Sequence, residues 1–253
     1  MMLRFALPPS LPAAAVDTVL AHGALLREAL AAASGAVVDV VIPRDYDALR
    51  LALLTGAVDA ALAPPVVCAQ LVAAKVPVPL QVVRRGHAAF ASALVVRRDR
   101  RVALVPRTLR AAWVDPLSVC GHLLPRAHLR AQRHRLEGFF VDEQFFGSYR
   151  AALAAVVDGR ADVAGVHVLP GGAGLDESLD IHLPGSSSQL SALAVTAAVP
   201  GDGIAALPSG RPLLSALARL PADVVTTVFR ADAFAPAGDA AFAALATVIS
   251  PES

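Results

Sequence analysis

Short runs rich in β-branched residues alternate along this chain with alanine- and leucine-rich stretches whose apolar positions recur at helical spacing. This is the pattern of parallel sheets joined by crossover helices. Strands are predicted near Leu3–Leu7, Val37–Ile42, Asp59–Ala63 and Leu80–Arg84, and helices near Ala13–Ala33, Tyr46–Thr55 and Val66–Ala74. A strand at Ala93–Arg97 leads into a second series: strand Ala111–Val114, helices Gly121–Arg133 and Tyr149–Val157, and strand Val163–Val168. After Gly185–Ser188, Leu190–Ala198 reads as a strand returning to the first series, and terminal helices follow near Pro212–Arg219 and Asp239–Val248.

The two series share a plan. Tyr46, Gly56 and Asp59 in YDALRLALLTGAVDAALAPP recur at identical spacing as Tyr149, Gly159 and Asp162 in YRAALAAVVDGRADVAGVHV. Each copy predicts a three-turn helix, a glycine that takes the left-handed C-terminal cap, and a short buried strand. The expectation is an α/β protein of two lobes, residues 1–92 with 189–253 and residues 93–188, each a mostly parallel sheet flanked by helices. Two chain crossings between lobes place the expected ligand cleft between them, outside the carboxyl ends of the strands.

A chain of 253 residues with a hydrophobic fraction of 56% buries a sizeable core, and charged residues interrupt every long apolar run, so no transmembrane helix is expected. Leu3–Leu7 runs as a strand into Pro8 and Pro9 rather than as a secretory signal, so the chain as written reads as cytoplasmic. A form trimmed of its signal would look the same and be periplasmic. The two cysteines, Cys68 and Cys120, lack paired spacing, which suggests neither a disulfide framework nor a metal site. A net charge of +1 argues against nucleic acid as the main partner. A dozen arginines crowd between Arg84 and Arg135, with Asp99 and Asp115 to oppose them. They read as a solvated basic face or as a lobe that steers anions inward.

The segment VDPLSVCGHLLP, Val114–Pro125, goes strand, tight turn, helix start. Ser118 is a natural N-cap, and the backbone N–H groups of Val119, Cys120 and Gly121 are expected to face the cleft, where the helix dipole favours an anion. The plainer role for Ser118 is capping alone.

These residues carry a family resemblance. DPxSxxGxxxP at Asp115–Pro125 resembles a segment of the periplasmic phosphonate- and phosphate-type receptors of ABC transporters. HAAFASALVVRRD at His87–Asp99 and FFGSYRAALAAVVDGRADVAG at Phe145–Gly165 are similar to further segments of that family, over roughly residues 3 to 170. The resemblance implies the type 2 periplasmic-binding-protein fold, a small anionic ligand of phosphonate, phosphate or carboxylate type, no cofactor, and an ABC permease as membrane partner of a monomer. It matches Ser118 to the family's first ligand serine and Tyr46 to a first-lobe tyrosine, and puts Phe90 where a second tyrosine is usual. Val119 and Cys120 replace a threonine and a serine, and Tyr149 with Arg150 replaces histidine and aspartate. Ser10 and Ser148 complete the candidate ligand set of Ser118, Val119, Cys120, Gly121, Tyr46, Phe90 and Tyr149. The losses predict a hydroxyl-poor pocket with aromatic walls, in which the Arg150 fork suits a carboxylate.

The main alternative is a cytoplasmic enzyme on the same fold, of the futalosine-pathway or thiamine-precursor type, with Cys120 as nucleophile and His122 or His87 as base. A ligand sensor is the third reading. PGGAGLD at Pro170–Asp176 has the wrong spacing for a dinucleotide and reads as a surface turn.

Overall fold

The computed structural model of the chain describes residues 2–8 and 16–249. In chain order its elements begin β1 (Met2–Ala6), α1 (Val16–Ser34), β2 (Val37–Val41), α2 (Tyr46–Leu54), β3 (Ala60–Ala63), α3 (Pro65–Ala73) and β4 (Leu80–Val83). The middle of the chain gives β5 (Ala89–Arg97), β6 (Arg110–Trp113), α4 (Leu124–Ala131), β7 (Asp142–Phe145), α5 (Tyr149–Val157), β8 (Val163–Val168) and α6 (Leu175–His182). It closes with β9 (Leu190–Val195), β10 (Val199–Pro200), β11 (Gly203–Ala206), α7 (Arg211–Leu217), α8 (Ala222–Val224), β12 (Ala233–Pro236) and α9 (Asp239–Ile249).

These elements form two compact units, one from Met1–Ala88 and Pro200–Thr247, the other centred on Ala89–Val199. The sheet of the first unit has the order β12-β4-β11-β3-β1-β2. Within it β1 pairs in parallel with β2 and β3, while β11 and β12 enter antiparallel. The second sheet runs β10-β5-β8-β6-β7, with β9 also on β5. There β6 is parallel to β7 and β8, and β5 is antiparallel to β8. Leu190–Val195 pairs antiparallel with β5, Leu190 opposite Arg97, so it stays in the second sheet rather than returning to the first as the sequence reading has it. Hydrogen bonding decides this: β5 is flanked by β8 on one side, and its other side has ladder groups to satisfy.

Alternation along the strands explains how the second sheet is buried on both faces. Ala93, Val95, Ala112 and Val166 point into one core with Leu153, Val156 and Leu179. Leu94, Val96, Ala111 and Trp113 point into the other with Leu129, Phe139 and Phe140. A strand covered on both sides needs a near-continuous apolar run, which is what Ala93–Val96 supplies. In the first unit Leu3, Phe5 and Leu7 join Leu26, Leu30, Ile204 and Phe229 in one core. Each such side chain, once buried, contributes about 1.5–3 kcal/mol.

The repeat seen in the sequence is a repeat of hydrogen bonds. The caps Asp45 and Ser148, at φ −154° and −155°, accept from the N–H groups of Ala48 and Ala151 three residues on. Gly56 and Gly159 leave the helices at φ 71° and 73°, a conformation that costs glycine nothing. Asp59 and Asp162 then accept from the amides of Arg4 and Arg110, at the first strand of each parallel set.

Candidate functional site

The carboxyl edge of the second sheet gathers most of the candidate residues. β6 ends at Trp113 and passes through Val114 into a turn that Asp115 organises: its carboxylate accepts from Leu117 N–H at 2.8 Å, and its carbonyl accepts from Ser118 N–H at 3.0 Å. Ser118 follows as the cap, its Oγ accepting from Gly121 N–H at 3.1 Å. The turn Val119–Leu123 is wider than an α-helix: Leu123 N–H reaches back five residues to the Ser118 carbonyl. Gly121 N–H is therefore not free for a ligand, as the sequence reading expects, because the Ser118 hydroxyl occupies it. That bond uses the hydroxyl as acceptor and leaves its own proton to donate. Val119, Cys120 and Gly121 are buried and Ser118 is half-buried.

Close packing from behind fixes this turn. A side chain on Gly121 would lie 2.4 Å from Val114 Cγ2, and one on Gly165 of β8 would lie 2.5 Å from the Cys120 carbonyl oxygen. Ser92, fully buried on β5, donates from Oγ to that same carbonyl at 2.6 Å, and its N–H donates to Thr196 Oγ1 at 3.0 Å. The Cys120 thiol is 4% exposed and donates to the Ala91 carbonyl at 3.4 Å. Phe90, half-buried, is the residue before Ala91 at the start of β5, so it reaches this edge as well.

β7 runs parallel beside β6, which brings the start of α5 to the same edge: Phe146 and Gly147 N–H donate to the Trp113 and Val114 carbonyls at 2.8 Å. Ser148 caps α5, and both it and Arg150 are exposed. Tyr149 is half-buried, stacked on His182 at 4.5 Å and edge-on to His167 at 5.7 Å. His182 Nε2 lies 3.3 Å from His167 Nδ1. Burial holds the His182 imidazole below the usual histidine range. His122 is lowered in the same way, chiefly by burial and against the pull of the Pro116 carbonyl, 2.9 Å from its Nδ1. Its ring meets Trp113 at 5.5 Å and Phe145 at 5.0 Å.

Tyr46 lies in the first unit, half-buried as the first residue of α2 at the carboxyl end of β2. Ser10 lies outside the described residues. Pro170–Gly172 forms a single tight turn after β8. The sequence reading missed Ser92, Gly165 and the His167–His182 pair. FAS at Phe90–Ser92 carries the aromatic-x-serine signal for the first of these, but nothing in the linear pattern shows that Gly165 backs onto Cys120.

No curated protein matches this sequence at a significant level. Among solved structures, XAC2383 from Xanthomonas citri bound to ATP superposes with a TM-score of 0.80 at 17% identity, over 98% of this chain and 96% of that one. PhnD1 from Prochlorococcus marinus in complex with methylphosphonate gives 0.70 at 16% identity, over 98% and 96%. A binding protein component of an ABC phosphonate transporter from Pseudomonas aeruginosa gives 0.71 at 16%, over 98% and 85%. The likeness is one of fold: two sheets flanked by helices, as in the two-lobed periplasmic binding proteins. Residues 10–243 match the family described as "ABC transporter, phosphonate, periplasmic substrate-binding protein", and the chain belongs to that family.

Proposed function

We propose that the chain is the solute-binding component of an ABC uptake system and holds a small anion at the Ser118 turn. The carrying observation is this turn at the carboxyl end of β6, capped by Ser118 and wedged from behind by Gly165 and Ser92. Such a turn directs backbone N–H groups and one hydroxyl proton outward from a rigid support, and this chemistry suits phosphonate, phosphate or carboxylate. Methylphosphonate bound to the Prochlorococcus marinus protein agrees in ligand class. Phe90 and Tyr149, in the same unit as the turn, supply aromatic surface for the organic part of the ligand. Arg150, exposed in the first turn of α5, offers a guanidinium fork suited to a carboxylate.

A transport role is favoured over catalysis. Cys120 is buried and packed with its thiol on the Ala91 carbonyl, so it does not stand as an accessible, activated nucleophile. The family is periplasmic, and among the described residues no single helix is long and apolar enough to cross a membrane; in the uptake system proposed here a permease would supply the span.

Thermal-shift and calorimetric titrations with methylphosphonate, phosphate and small carboxylates test the reading. Ligand at a hundred times its Kd stabilises by about 2.7 kcal/mol. Ser118→Ala should weaken the response, and Ser118→Asp, which keeps the cap but adds a negative charge, should abolish it. An unchanged response in Ser118→Asp overturns the assignment.

A further inference from the structure

Three arginines meet at the amino edge of the second sheet, at the other end of β6 from the Ser118 turn. Arg107 comes just before β6, and Arg133 and Arg135 lie between α4 and β7. They line one concavity of about 580 Å³ with His134, Glu137 and Phe139. Among the described residues lining it, Glu137 alone is acidic. None of the three arginines forms an ion pair with a described residue. The floor is firm: Phe139 is 1% exposed, its carbonyl accepts from Arg107 N–H, and the His134 ring meets it edge-on at 5.0 Å.

The backbone supplies a second, independent observation. Arg107 and Arg133 both sit at positive φ, 61° and 65°. Arg133 is the residue past the end of α4, where its N–H donates to the Arg130 carbonyl at 2.8 Å and His134 N–H donates to Leu129 at 3.1 Å. This is the helix-ending position that glycine fills without steric cost, and an arginine there carries strain. Lys75, Arg85 and Arg230 share this backbone conformation elsewhere among the described residues, but Arg107 and Arg133 are the two that line one concavity together.

We propose that this concavity is a second anion site, separate from the Ser118 turn, that takes a multiply charged phosphate group. Guanidinium forks match phosphate oxygens two at a time, and three of them around one hollow suit a group with several negative charges better than a monoanion. The volume accommodates a small molecule, and its openness to solvent equally admits a phosphate carried on an anionic lipid headgroup. The shared chemistry is the phosphate, and the two sources separate by experiment.

The double variant Arg107→Gly/Arg133→Gly provides the test, because glycine relieves the left-handed backbone while removing both guanidinium groups. Its melting temperature should equal or exceed that of the parent, so a loss of binding will not reflect misfolding. Isothermal titration of the parent with tripolyphosphate at low ionic strength should show binding that weakens steeply with added salt, and the double variant should bind about tenfold more weakly or worse. Co-sedimentation with phosphatidylglycerol vesicles against phosphatidylcholine vesicles reads the lipid source: retention on the former by the parent, lost in the variant, assigns the site to a membrane surface. The proposal is overturned if the parent binds neither tripolyphosphate nor phosphatidylglycerol vesicles, or if the variant binds as the parent does. The response to methylphosphonate should be unchanged in the variant, so a failure of the Ser118 assignment leaves this site standing, and the reverse.

Discussion

Asp162 grips Arg110 by both backbone and side chain: its carboxylate accepts the Arg110 amide at 2.9 Å and the guanidinium at 3.0 Å, and its own N–H donates to the Arg110 carbonyl at 2.9 Å. Asp59 repeats the backbone half of this grip on Arg4, at 2.8 and 2.9 Å. In each unit the strand that follows the repeated helix is thereby locked to its parallel neighbour.

Replacing Asp162 by alanine should destabilise the second unit by about 1–3 kcal/mol, because the Arg110 amide loses a charged acceptor. Arg110 holds the Asp162 carboxyl below the usual carboxylate range. The folded state therefore keeps its proton off to lower pH than the unfolded chain does, so this stability is present above the ordinary carboxylate pKa and is lost as pH falls through the folded one. Urea melts of parent and variant between neutral pH and pH 3 should draw together towards the acid end. Coincident curves would show that the pair contributes nothing, and offset parallel ones that its contribution does not depend on the carboxylate charge.

Gly165→Ala should harm both stability and binding. The added methyl would meet the Cys120 carbonyl at 2.5 Å, so the Ser118 turn must shift for the protein to fold. The measurement is a methylphosphonate titration beside a thermal melt: loss of affinity greater than that of Ser118→Ala is expected.

The family resemblance of the Asp115–Pro125 segment sets Val119 and Cys120 against a threonine and a serine, as expected from the sequence. Val119→Thr should raise phosphonate affinity by about tenfold through one hydrogen bond restored to the anion, with little change for an aromatic carboxylate, whereas a serine at Cys120 would keep its hydroxyl on the Ala91 carbonyl and add nothing. Calorimetry on both ligand classes checks it, and equal gains for both would mean that the threonine hydroxyl does not read the phosphonate.

Stability should fall as pH drops through the ordinary histidine range. Folding keeps His182 neutral through burial beside Tyr149 and His167, so the unfolded chain takes up a proton first, and the loss levels off once the folded imidazole protonates too. His182→Leu should flatten that part of the melting curve against pH. A parent curve already flat there removes the argument.

The parallel strands, the repeated helices and the Ser118 cap were legible because each rests on local chemistry: a β-branched run, a helical period, a serine before a helix start. What stayed hidden depends on partners distant in sequence. β7, DEQF, is polar because it is an edge, and β11, GIAA, lacks a strand-like pattern yet is buried throughout. Leu190–Val195 was recognisable as a strand, but its place beside β5 is fixed by a register that only the fold displays. Of the site, the types of residue were readable; the wedge of Ser92 and Gly165 behind Cys120 was not, since it joins positions on three elements.

β11 lies in the middle of the first sheet, between β4 and β3, although it is made after Ala89–Val199, the body of the second unit. During synthesis the segment from Ala89 to Val199 has left the ribosome, with all its own strands present, while the earlier unit still lacks its central rung and β12. The amino-terminal half must therefore wait as a nascent chain, with Ala61 and Leu62 unpaired on one side, until residues 203–206 arrive. Birth order and folding order run in opposite directions in this protein.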